Sequence, residues 1–311
     1  MKHNTHIYIA AKAIDLIYES VDNTIKPDGE PFRSTAKSKE RREATKRQRL
    51  LRYHEALITE ASWAPDDILR DNHPYHVFKL LKDDEFVDIP QKYLDRSFQN
   101  NGETYFKYNG GLPYRIDHIA NQIVGMEKLR DYNDQYSLRQ IMYLYLMLSH
   151  YIVDAHVPMH CDHRDDPPGD GEVKLNGAYM KESAHAALEK LWDEATTPVA
   201  MNEEIIEVAR NEDRKPETVY SPDVIFDLSA CDFGGEVLVA VIPKYGLMDF
   251  MVGICFKSKE RCRDLFPLDN PTQRDDSNLH ALTRSIFADA IGNLMAVWRY
   301  VWFLSRKPSE L

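Results

Sequence analysis

No two cysteines are spaced as C-x-x-C, and the four present (Cys161, Cys231, Cys255 and Cys262) are too scattered for a disulfide framework. They neither require an oxidising compartment nor forbid one. Long apolar runs are missing as well. The longest helical stretch free of Asp, Glu, Lys and Arg, Ile141 to Val153, falls short of the roughly 20 residues a spanning helix needs. The N-terminal segment MKHNTHIYIAAKAIDLIYES is interrupted by Lys12 and Asp15 and lacks a small-residue cleavage site, so it does not read as a secretory leader. These absences predict a soluble chain, cytoplasmic as it stands and secreted if a leader has been removed. Positive charge is also in short supply. A formal net charge of −11 excludes a general duplex-DNA binder, which needs a basic surface to neutralise phosphates. It does not exclude an enzyme that holds phosphates through metal ions.

What is present is mostly helical pattern. Ile7, Ala10, Ala11, Ile14, Leu16 and Ile17 recur at helical spacing just after His6. Residues 21–35 read as a loop. A helix follows from about Thr35 to Trp63, ended by Pro65. Its first half carries Lys37, Lys39, Arg41, Arg42, Lys46, Arg47, Arg49 and Arg52, which read as a solvated face rather than a phosphate-attracting patch. Another helix is expected from Leu112 to about Tyr132, after the Asn109-Gly110-Gly111 turn. With Ser137 as its N-cap, SLRQIMYLYLMLSHYIVDAH is apolar almost all round and belongs at the centre of a bundle. After a Pro- and Gly-rich loop over 164–177, AYMKESAHAALEKLWDEA, Met201–Arg210 and Leu279–Ser305 complete the helical reading. Within 221–276, Val237–Ile242 could be a strand and Gly246–Lys259 a helix. There is no internal repeat and no alternating-strand series. The expectation is an all-α, single-domain, multi-helix bundle over 1–311, with a ligand-bearing half at 1–195 and a helical half at 196–311.

The chemistry is concentrated in His150-Tyr-Ile-Val-Asp154-Ala-His156-Val-Pro-Met-His160. Residues four apart on a helix share a face, so His150 and Asp154 converge on one point. Pro158 disfavours helix at Val157, so the helix should end near His156 and send His160 in another direction. His185 and Glu189 repeat the four-residue spacing downstream. Imidazole and carboxylate are ordinary zinc ligands, and His160, His185 and Glu189 would leave a catalytic zinc one position for water. A free carboxylate at the end of so apolar a helix would be costly without a partner, which favours a cation near Asp154.

At these residues the chain resembles the zinc-dependent phospholipases C and the single-strand-specific zinc nucleases that share their fold. That family carries H-x-x-x-D-x-x-x-P-[LM]-H, then a helix bearing His and an acid four residues on; Glu189 is the variant more like the phospholipases. The resemblance places His6 at the ligand that opens the first helix. It places Asp66 in ASWAPDD, with Asp67 as rival, and His76 in HPYHVF, with His73 as rival. It spans roughly His6 to Glu189; residues 200–311 match only as further helices.

The resemblance implies a phospholipase C/P1 nuclease-type bundle holding two or three zinc ions. Asp66, His76, His150 and Asp154 would hold the first, and His160, His185 and Glu189 the second. His6, a bridging Asp154 and the amine and carbonyl of the N-terminal residue would hold the third. The family usually offers a processed Trp there; this chain has Met1, five residues before His6 as in the nuclease branch, or His3 as a substitute. Zinc lowers the pKa of bound water to about 7, and Asp66 would serve as ligand and general base together. The implied function is a zinc-dependent phosphoric diester hydrolase, phospholipase C-like, acting on a phospholipid headgroup, or alternatively on a nucleotide of single-stranded nucleic acid. A non-catalytic zinc-binding helical protein is the alternative of another class.

Other residues read more plainly. His156 lies on a different helix face from Asp154 and suits a hydrogen bond rather than a ligand. Cys161 reads as a partly buried thiol and Asp193 as too far along its helix to replace Glu189. His118, His163 and His280 receive no role, and the aromatics near 104–114 suit either a groove wall or the core.

Overall fold

The computed structural model describes residues 1–20, 55–82, 85–88, 96–129, 135–165, 174–175, 180–181, 183–196, 242–270 and 273–305. The expected basic helix half before residue 55, the helix Met201–Arg210 and the strand at Val237–Val241 lie outside them. The described part is mainly helical, as the periodicity predicts. It comprises α1 (His3–Ser20), α2 (Glu55–Ala61), α3 (Ala64–Asp67), α4 (Leu112–Leu129), α5 (Gln135–Asp154), α6 (Pro158–Cys161), α7 (Ala184–Thr196), α8 (Leu247–Leu265) and α9 (Leu279–Leu304). None of the described helices is long and apolar enough to cross a membrane.

Helix α5 is the axis. It packs against α1, α2, α3, α4 and α9, and from Tyr145 to Asp154 every residue is buried. This all-round apolarity is what its sequence demands: a helix with no polar stripe has no face to give to water. Helix α8 packs on α4 and α6, and α9 on α1, α4 and α5, so the C-terminal helices cover the elements that carry the candidate ligands.

Two small sheets were not expected. β1 (Phe78–Lys82), β4 (Glu103–Gly110) and β3 (Arg96–Asn100) form an antiparallel sheet in that order, and β2 (Phe86–Asp88) pairs with β5 (Lys174–Leu175). The β3–β4 hairpin closes through Asn101 and Gly102, both at positive φ (52° and 82°), as two-residue hairpin turns require. The aromatics near 104–114 thus begin on a strand, where Tyr105 faces the core.

The end of β4 fixes the loop before β1. Gly110 has φ 94°, and a side-chain carbon there would lie 2.0 Å from the Val77 carbonyl oxygen. Only glycine permits this approach. Gly111 N–H then donates to the Pro74 carbonyl at 2.6 Å, holding the His73–Tyr75 turn, and with it His76, over the start of α4.

Candidate metal centre

Helix α5 ends at Asp154, and Val157 is extended (φ −75°, ψ 116°), as the proline after it requires. Pro158 then opens the single turn α6, which carries His160. The chain reverses its side-chain direction within a few residues, so Asp154 and His160 meet from two sides.

Three groups of potential ligands converge here among the described residues: His6, His150 and Asp154; Asp66, His76 and His150; and His160, His185 and Glu189. In the second of these, His76 Nδ1 and His150 Nε2 stand 3.2 Å apart. Asp154 Oδ2 lies 2.9 Å from the former and 3.2 Å from the latter, and Asp66 Oδ1 is 3.5 Å from each. In the last group, His185 Nε2 is 2.9 Å and His160 Nε2 3.5 Å from Glu189 Oε1. Asp154 turns its other oxygen, Oδ1, toward Met1 N at 3.4 Å, His6 Nε2 at 3.5 Å and His160 Nδ1 at 3.5 Å. The Met1 amine also lies 2.7 Å from Glu189 Oε1, and its carbonyl 3.2 Å from His6 Nε2.

All nine residues singled out in the sequence therefore meet in one cluster, buried except at Asp66, which is exposed, and at His185 and Glu189, which are half-buried. The rivals do not: Asp67 and His73 are exposed and stand outside the three groups. His3 packs its ring against Trp63 instead.

The donor chemistry fits a cation. The Ser62 carbonyl can only accept, so the 2.9 Å contact puts a proton on His150 Nδ1, and the neutral ring would then offer its Nε2 lone pair toward Asp154. Two ring nitrogens and two carboxylate oxygens thus crowd one point with few protons to share. Burial disfavours a charged His150, but Asp154 and Asp66 outweigh it and raise its pKa to about 9. Burial works against His185 too, yet Asp165 and Glu189 raise it to about 9. For His160 and His6 burial prevails, lowering His160 to about 4 and His6 well below its ordinary value. Burial alone would raise the Asp154 and Glu189 carboxyls; nearby imidazoles and the Met1 amine instead hold both well down. Borrowed protons thus stand where a cation would. Of the buried ring nitrogens without a hydrogen-bond partner, His160 Nδ1 is the one that faces Asp154 Oδ1, and a bound ion is one partner that would satisfy it.

The remaining histidines differ in kind. His156 is satisfied at both nitrogens, through the Ile152 carbonyl at 2.7 Å and Asn293 Nδ2 at 2.8 Å, so it holds no lone pair in reserve. Cys161 points its thiol at the Ala155 carbonyl. Asp193 does not join the ligands but fixes them: its Oδ1 accepts the Asn4 backbone N–H at 2.7 Å, anchoring the first turn of α1 and so Met1 and His6. Trp63 packs against the rings of His6 and His150, which stack on each other at 4.0 Å. Sequence reasoning missed the parts played by Ser62, Trp63, Lys79, Asp165 and Asp193, because partners this far apart in the chain leave no periodic signal.

No protein family and no curated protein matches this chain. Among solved structures, the alpha-toxin of Clostridium perfringens from an avian strain is similar at 13% identity with a TM-score of 0.49. The match covers 99% of this chain and 66% of that one, so the chain spans just under two thirds of the toxin's length.

Proposed function

We propose that this chain is a zinc-dependent phosphoric diester hydrolase of phospholipase C-like chemistry, built as one helical domain over residues 1–311. One observation carries the reading: Asp154 offers Oδ2 to the Asp66, His76 and His150 group and Oδ1 to His6 and Met1. This is the bridging role that the resemblance to zinc phospholipases C and single-strand zinc nucleases implies. Asp66, His76, His150 and Asp154 would hold one ion, His160, His185 and Glu189 a second, and His6, Asp154 and Met1 a third. Bound zinc would supply a water acidified to a pKa of about 7 and positive charge for the diester oxygens.

The chain's own residues set direction and proton flow. His6 and His150 side chains are fully buried, whereas Asp66 is 34%, His185 21% and Glu189 14% exposed, so substrate approaches from the Asp66 and His185 side. Asp66 directs Oδ1 to the histidines and has its other oxygen to accept a proton from the attacking water. Ser62 and Trp63 hold His150 in place, so that its lone pair does not rotate away. Glu189 and the acidic net charge favour a phospholipid headgroup over a polynucleotide as substrate.

Protein purified without chelator should contain about two to three zinc ions per chain. It should hydrolyse bis-p-nitrophenyl phosphate, lose that activity to a chelator and regain it with Zn²⁺. Phosphatidylcholine should be turned over better than single-stranded DNA or RNA; the reverse preference would move the chain to the nuclease reading. Bound zinc without turnover would leave a metal-binding protein, and absence of both would remove the metal centre altogether.

A further inference from the structure

Lys79 sits in the middle of β1 with its side chain fully buried. Its ammonium donates to the Met159 carbonyl at 2.7 Å and to Asp165 Oδ2 at 3.0 Å. The same Asp165 oxygen lies 3.0 Å from His185 Nδ1. Neither residue belongs to a ligand group, and neither contact follows from helix or strand spacing.

We infer that Lys79 and Asp165 are a positioning pair that sets both histidines of the His160, His185 and Glu189 group. The inference rests on that group being a metal site. Asp165 is unsuited as a ligand there: it grips Nδ1, the far side of a ring whose Nε2 faces Glu189. A carboxylate on Nδ1–H keeps the proton off Nε2, fixes the ring plane and makes the facing nitrogen more basic. Lys79 holds Asp165 in turn and, through the Met159 carbonyl, ties down the turn whose next residue is His160. One buried ammonium thus reaches both imidazoles from behind. Lys79 also depends on Asp165, since a buried cation without its carboxylate is costly.

The test is zinc affinity, read by competition with chelators of graded strength on the full chain. His185→Ala identifies which ion belongs to this group by losing it. Asp165→Asn should weaken that same ion about 10- to 100-fold and leave the others as in wild type. Lys79→Met should shift it in the same direction. Should either variant fail to fold, zinc-loaded wild type decides, because proton–nitrogen correlation of the His185 ring must show the proton on Nδ1. Wild-type affinity in Asp165→Asn, equal weakening of every ion, or a His185 proton on Nε2 would overturn the pairing. Absence of zinc from wild type would instead overturn the metal reading on which it rests.

Discussion

Two buried polar clusters flank the turn at α6, drawn from the same stretch of chain, and they solve opposite problems. In one, Lys259 Nζ lies 2.6 Å from Glu85 Oε1 and 2.8 Å from Asp162 Oδ2. Arg164 grips Asp162 through two contacts of 3.0 Å and donates to the Phe266 carbonyl at 2.7 Å. Arg263 Nε also lies 3.7 Å from Glu85 Oε1; two carboxylates thus meet three fixed cations, and among the described atoms of this cluster His163 Nε2 is left without a partner. In the other, Asp66, Asp154 and Glu189 meet one amine and imidazoles that are cationic only when protonated, so the carboxylates outnumber the fixed cations. A closed cluster is structure; under the function proposed above, the open one is a binding site. Both are costly to bury; the first recovers the cost through fixed cations, and the second through protons that a bound cation would replace under the proposed function.

The difference can be broken most sharply at Asp154, the residue that serves two ligand groups. Asp154→Asn should reduce diester turnover by about a thousandfold and lower the zinc content, as read by initial rates and elemental analysis. Full metal content and activity would mean that the two groups do not share it. Lys259→Met probes the closed cluster. Removing its cation leaves Asp162 with Arg164 alone and Glu85 with only the longer Arg263 contact, so urea unfolding should show a loss of about 3 kcal/mol, with zinc content per folded chain unchanged. Loss of zinc there would show that the clusters are coupled. The smallest effect is expected at the amine. A chain bearing an added residue ahead of Met1 presents an amide, a poorer ligand, beside Asp154 and Glu189. It should lose one ion and about tenfold in turnover relative to a chain starting at Met1. Equal values would make Met1 a bystander.

Much of this centre was legible along the chain. His150 with Asp154 and His185 with Glu189 announce themselves because four residues make about one helical turn. Val157-Pro158 marks where α5 must stop. Other features were legible yet overlooked: Asn101-Gly102 between two alternating segments is a strong hairpin signal, and it closes the β3–β4 turn. The turn before Leu112 is legible in its glycines, but not that Gly110 presses against the Val77 carbonyl to set His76 in place.

By itself, the sequence determined the mainly helical fold, the buried axis at α5 and the residue types of the centre, because helical periodicity and proline stereochemistry are local. Only the tertiary structure brought Asp66 rather than Asp67, and His76 rather than His73, beside His150, and set how Asp154 divides its two oxygens. It alone brought Lys79 to Asp165 and Asp193 to the start of α1. Those choices depend on contacts such as His76 with His150 and Asn4 with Asp193, 74 and 189 residues apart, and they are set by how helices pack around α5, not by any pattern a single segment can carry.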